Sequence, residues 1–113
     1  MMIGWTTVEN QAQAQELAAG LVTSRSVVCV QIEGPIQSVF RWEGKMDKST
    51  EYRLMIKFLG ARSRDVEAWI LRHHPYETPE WIVVQTEHVA EKYLSWAQAN
   101  SSSLPFNASN EPL

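Results

Sequence analysis

Two runs of alternating character, joined by a short polar loop, constrain this chain more than any other feature. In residues 36–42, Ile36, Ser38, Phe40 and Trp42 fall on one side, and Gln37, Val39 and Arg41 on the other. In residues 51–59, Tyr52, Leu54, Ile56 and Phe58 oppose Glu51, Arg53, Met55 and Lys57. Side chains alternate between faces along a strand, so each run reads as a strand. Residues 43–49 form a polar connection, and the pair reads as an antiparallel hairpin.

Other segments arrange themselves around this hairpin. Residues 3–5 are a short candidate strand. Thr6-Thr7-Val8-Glu9 has the form of a capping box, in which a Thr hydroxyl takes an orphan N–H and the Glu reaches back. Ala14, Leu17, Ala18, Leu21 and Val22 then make one apolar helical stripe. Gly20 costs that helix about 1 kcal/mol relative to Ala, which close packing on a sheet would explain. Residues 27–32 are a β-branched run, hence a covered strand, followed by the turn signal Glu33-Gly34-Pro35. After Gly60, Ser63 reads as an N-cap for a helix with Val66, Trp69, Ile70 and His73 on one face. Trp81-Ile82-Val83-Val84 reads as a short buried strand. Val89, Ala90, Tyr93, Leu94 and Ala97 form a third helical stripe. With the runs at residues 27–32 and 36–42 taken as one strand position, the predicted order is β-α-β-β-α-β-α, an α+β fold whose first six elements form a ferredoxin-like βαββαβ sandwich, with an extra C-terminal helix. Both long helices then lie on one sheet face. The other face is left needing a partner, which argues for an oligomer.

The chain of 113 residues is 44% hydrophobic and 20% charged, which fits one soluble domain. The expected division is a domain over residues 1–99 and a flexible Ser/Asn/Pro-rich tail over 100–113. A net charge of −3 supplies no basic footprint for nucleic acid. One cysteine, Cys29, cannot make an intramolecular disulfide and suits a reducing compartment. No apolar run approaches the roughly 20 residues of a membrane span. The first residues lack the basic and apolar regions of a secretory signal, so the expected location is cytoplasmic.

Chemistry concentrates in Leu71-Arg72-His73-His74-Pro75-Tyr76-Glu77-Thr78-Pro79-Glu80-Trp81. Pro75 pushes His74 out of the α region and ends the helix. Pro79 cannot donate to a sheet ladder and belongs at a strand start or edge. The segment is a stiff corner rich in polar groups.

These residues resemble the CutA (CutA1, divalent-cation tolerance) family over about residues 3–98. The resemblance rests on Thr6-Thr7, Cys29-Val30, Trp42-Glu43-Gly44-Lys45, Glu51, Lys57, the run from His73 to Glu80, and Tyr93-Leu94-Ser95-Trp96. It implies a ferredoxin-like subunit in a tight homotrimer whose neighbouring strands complete each other's sheets. It also implies a role in tolerance of divalent metal ions, copper above all. The trimer's likeness to PII signalling proteins implies, alternatively, a sensor or scaffold that binds a small ligand or a protein partner. The chain departs from the family pattern at Val8, where Pro is usual, and at Trp5, where some bacterial members have a cysteine proposed as a copper ligand.

By the same resemblance, His73 and Glu80 match proposed metal ligands. Imidazole suits copper and zinc, and a carboxylate can complete a site. His73 has an equally plain structural reading, packing on its helix face or sitting at the helix C-terminus, where the dipole favours it. Cys29 reads as a small buried hydrophobe or as a cleft thiol. Trp42, Glu51, Lys57, Tyr76 and Glu77 are candidates to line an intersubunit cleft or to act as interface contacts. An anionic ligand there would use Lys57, and a cation Glu51, Glu77 or Glu80. There is no Ser-His-Asp arrangement, Gly-rich phosphate loop or two-His zinc motif, so the expectation is a binding protein and not an enzyme.

Overall fold

The computed structural model describes residues 1–101. Its elements are β1 (Met2–Val8), α1 (Gln11–Thr23), β2 (Cys29–Trp42), β3 (Lys45–Phe58), a 3-10 turn (Gly60–Arg62), α2 (Ser63–His73), β4 (Ile82–Gln85) and α3 (Glu91–Asn100). The four strands form one antiparallel sheet in the order β2-β3-β1-β4. This is the expected ferredoxin-like βαββαβ topology with α3 added.

Register explains which residues enter the core. Directly paired residues face the same side, and Gly4↔Ile56, Thr6↔Leu54 and Val8↔Tyr52 align β1 with β3. Leu54, Ile56 and Phe58 are fully buried there. Ala14, Leu17 and Leu21 of α1 and Val66 and Ile70 of α2 close over them. The opposite face carries Trp5, paired with Met55 and Ile82, and Ile3, paired with Lys57 and Val84. Ile82 and Val84 are 56% and 45% exposed, so the described residues leave this part of the face uncovered.

Several local expectations are corrected. Thr6 and Thr7 belong to β1 and do not cap α1. The cap is Asn10, whose side chain accepts from the Gln13 N–H at 2.8 Å, while Gln13 Oε1 accepts from the Glu9 N–H. The two bonds reproduce the reciprocal logic of a capping box, displaced along the chain. Glu33-Gly34-Pro35 is no turn. Strand β2 runs through it as a bulge, with the pairing shifted between Glu33 and Ile36 and a cis Gly34–Pro35 bond. The hairpin connection is only Glu43-Gly44, because Lys45 already pairs with Trp42. Both connecting residues have positive φ, 52° and 80°, as a two-residue type I′ turn requires.

Ser63 is the first residue of α2 and not its cap, and its hydroxyl donates to the Gly60 carbonyl. Strand β4 is an exposed edge and not a buried strand. Gly20 packs against the Trp69 indole of α2, not against the sheet, and a Cβ at Gly20 would lie 2.6 Å from that ring. Asn100 ends α3 and Ser101 is buried. The remainder of the expected tail lies outside the described residues.

Candidate functional site

The Pro75 corner is pinned to the sheet by the residue before it. His74 leaves the helix in an extended conformation, with ψ 139°, as a residue preceding proline must. Its ring reaches β1, where Nε2 lies 2.9 Å from Thr6 Oγ1 and 3.0 Å from the Thr7 carbonyl oxygen. Its Nδ1 accepts from the Tyr76 N–H at 3.0 Å. An N–H must donate and a carbonyl must accept, so the imidazole is neutral with its proton on Nε2. Burial pushes the His74 pKa below its usual value, against the opposing pull of the Thr7 carbonyl and the Glu51 charge. One ring thus ties α2, β1 and the corner together.

Tyr76 is positioned by this corner and points its hydroxyl at β3. The O–H donates to Glu51 Oε2 at 2.8 Å. Burial and that bond to Glu51 push the phenol well above its ordinary range. Glu51 itself is only 8% exposed. The Glu80 carboxyl is also pushed up, first by burial and then by the Glu51 charge, with Arg53 opposing. Arg53 is held by Glu33 through two bonds, at 2.7 and 3.0 Å.

These groups border a cleft of about 710 Å³ between the corner and the outer half of the hairpin. Phe40 and Trp42 supply an aromatic side, and Glu51, Tyr76, Glu77 and Glu80 the polar side. Four of the five residues expected to share a ligand cleft, Trp42, Glu51, Tyr76 and Glu77, are brought together. Lys57 is not among them. It lies six positions along β3 from Glu51, about 20 Å at strand spacing. Its register partners are Ile3 and Cys29, and its ammonium sits 5.6 Å over the Tyr93 ring.

Within one chain, His73 and Glu80 also face different spaces. The His73 ring stacks on Trp69, with centroids 3.9 Å apart, and its Nδ1–H donates to the Trp69 carbonyl at 2.9 Å. It borders a cavity of about 380 Å³ beside Gln13, Glu16, Gly20 and Pro75. Among the described residues no group of three or more His, Cys, Asp or Glu side chains is arranged to hold a metal ion. Cys29 is a half-buried free thiol at the start of β2. Trp5 is half-buried on the sheet face opposite the helices and has no thiolate to offer.

Sequence reasoning assigned no site role to His74 or to Thr6. The signal for His74 was its place before Pro75, which forces the ring away from the helix. Thr6 was hidden because Thr6-Thr7 also fits a helix cap.

Comparison with known proteins places this geometry in a lineage. The family profile described as "CutA1 divalent ion tolerance protein" matches residues 2–100. The "Divalent-cation tolerance protein CutA" of Yersinia pestis (strain Pestoides F) is 33% identical over 94 residues, covering 83% of this chain and 79% of that protein. The solved structure of CutA from Synechococcus elongatus PCC7942 superposes with a TM-score of 0.86 at 31% identity, covering 89% of each chain. CutA1 from Oryza sativa superposes with a TM-score of 0.87 at 27% identity, covering 91% of this chain and 94% of the other. With residues 2–100 matched in sequence and its sheet and helices matched in space, the chain belongs to the CutA1 divalent ion tolerance family.

Proposed function

We propose that this protein acts in tolerance of, or response to, divalent metal ions, copper among them, as a cytoplasmic homotrimer that holds the ion weakly at a cleft between subunits. The observation that supports this reading is the carboxylate grouping of Glu51, Glu77 and Glu80 on one cleft. Burial first and the Glu51 charge second already hold Glu80 above its ordinary pKa, and a cation there relieves the second of these. The described residues of one chain offer no complete donor set, so the ion's remaining ligands come from a neighbouring subunit, with His73 the candidate imidazole. The uncovered sheet face and the exposed Val39, Trp42 and Met46 of the hairpin supply apolar surface for that neighbour. The role is binding and not catalysis.

The test is titration of Cu(II) into the full chain, followed by calorimetry and by NMR of the His73 and Glu side chains. The expected result is binding at micromolar metal that weakens at least tenfold in His73→Ala and in Glu80→Gln. No perturbation below millimolar metal, or unchanged affinity in both variants, overturns the reading. Light scattering on the same sample is expected to return three times the chain mass.

A second reading, a PII-like sensor or scaffold, is favoured by the size of the cleft. About 710 Å³ far exceeds the space of a bare ion and lies within the range of small-molecule sites. A thermal-shift screen of metabolites tests it, and a screen in which none raises the melting temperature counts against it.

A further inference from the structure

One hydrogen-bonded run inside a single chain connects the end of α2 to the cleft. Pro75 holds His74 extended, and the His74 ring is buried against β1. Its Nε2–H is shared by the Thr7 carbonyl at 3.0 Å and Thr6 Oγ1 at 2.9 Å. Its Nδ1 accepts the Tyr76 N–H at 3.0 Å. The two rings also touch, with centroids 4.9 Å apart. The Tyr76 hydroxyl then donates to Glu51 Oε2 at 2.8 Å. Every bond in the run joins groups of the same chain, so the run does not depend on which side chains a neighbouring subunit adds to the cleft.

The two nitrogens of this ring do different work. Nε2 fastens the corner to β1, which is a matter of stability. The Nδ1 bond joins residues only two apart in sequence, so it ties no distant elements together. Its effect is on direction. It fixes the backbone of Tyr76, and the phenol at the end of that side chain inherits its aim. Tyr76 claims Oε2 of Glu51 and leaves Oε1 outside that bond. A carboxylate that serves as a ligand is itself held by hydrogen bonds, and removing such a support costs about 10- to 100-fold in metal affinity. The adjacent His73 takes no part, because its ring turns back onto Trp69.

We infer that His74 is a positioning residue of the ligand cleft: its Nδ1, acting through Tyr76, sets the Glu51 carboxylate without touching the ligand. This rests on the reading of the cleft as a cation site, and it gives a functional role to a residue whose burial otherwise marks it as packing. Amide side chains separate the two roles of the ring. Glutamine places its amide N–H near the position of Nε2 and has nothing at the position of Nδ1. Asparagine places its amide oxygen near the position of Nδ1 and falls short of β1. His74→Gln therefore keeps the tie to β1 and frees Tyr76, whereas His74→Asn frees β1 and keeps Tyr76. Both lose the ring contact with Tyr76, so a difference between them reports the hydrogen bonds.

The experiment pairs calorimetric titration of the full chain with Cu(II) and carbon NMR of the Glu51 carboxyl in the metal-free protein, with urea denaturation as the control for folding. In His74→Gln the Glu51 resonance is expected to move and Cu(II) affinity to fall about tenfold, while in His74→Asn the affinity stays within about twofold of the native protein. The urea midpoint is expected to fall further in His74→Asn than in His74→Gln. An unmoved Glu51 resonance in His74→Gln, or native Cu(II) affinity in that variant, overturns the inference. An affinity lost equally in both variants also overturns it, because a merely structural ring would behave that way. Tyr76→Phe leaves the His74 bonds in place and is expected to lose the same tenfold. It decides the matter where neither His74 variant folds, and unchanged affinity there overturns the inference. If the native protein does not bind Cu(II), yet the Glu51 resonance moves in His74→Gln and not in His74→Asn, the metal reading fails and the setting of Glu51 by His74 stands.

Discussion

The Nε2 of His74 and the hydroxyl of Thr6, 68 residues apart in sequence, lie 2.9 Å apart in the buried interior. That contact welds the end of α2 to the central strand. It makes His74, more than the neighbouring His73, the structural keystone of the corner. The neutral ring is required because Nδ1 accepts from the Tyr76 N–H. Replacing His74 with Ala removes these bonds and leaves a cavity, so a loss of about 2–4 kcal/mol is expected by chemical denaturation at fixed protein concentration.

The same ring predicts a pH dependence. Burial lowers the folded-state pKa of His74 from the usual 6.5, so the unfolded chain takes up the proton first as pH falls. The contribution is complete well above pH 6.5 and is lost as pH drops through that value. One proton limits the slope to about 1.4 kcal/mol per pH unit. Denaturation midpoints of the native protein should therefore fall between pH 7.5 and 5.5 more steeply than those of His74→Gln. Parallel profiles would contradict the buried neutral ring.

Tyr76→Phe tests the link between corner and sheet. It deletes only the hydroxyl that donates to Glu51 at 2.8 Å. The remaining carboxylate is buried with one bond fewer, which is expected to cost about 1–2 kcal/mol. A thermal midpoint equal to that of the native protein would show that water replaces the phenol without loss.

The alternation at Leu54, Ile56 and Phe58 made the fold legible, because period-two burial on one sheet face is a property of adjacent residues. The stripe of Ala14, Leu17 and Leu21 was legible for the same reason at helical period. What escaped were features that depend on distant partners. Whether Gly34-Pro35 turns the chain or bulges it depends on β3 continuing to pair on both sides. Thr6 looked like a cap because its partner, His74, is 68 residues away. Within one chain, Trp42, Glu51 and Tyr76 border a single cleft, whereas Lys57 lies six positions along β3 from Glu51, a separation that follows only from the length of the strand. His73 and Glu80 flank a corner, yet the ring of one turns back onto its own helix.

Gly20→Ala sets two effects against each other. In an open helix the change would stabilise by about 1 kcal/mol. Here the new Cβ would fall 2.6 Å from the Trp69 ring, and overpacking costs about 1–3 kcal/mol. Net destabilisation is expected in the native background. In a Trp69→Leu background the sign should reverse. A double-mutant cycle read by urea denaturation checks this, and additive effects would mean that the indole moves aside freely.

The Glu43-Gly44 turn offers the opposite opportunity. Glu43 holds φ 52° although it carries a Cβ, and Gly44 holds φ 80°. Left-handed conformations cost an ordinary residue about 1–2 kcal/mol and asparagine less. Glu43→Asn should therefore stabilise by about 0.5–1 kcal/mol, since Asn-Gly is the favoured pair for this turn. Gly44→Ala should destabilise by about 1 kcal/mol, although no atom of the described residues lies within 4 Å of the added methyl. The cost in that variant comes from backbone conformation alone. Thermal midpoints that move in opposite directions for the two variants would establish the turn type, and two midpoints moving together would reject it.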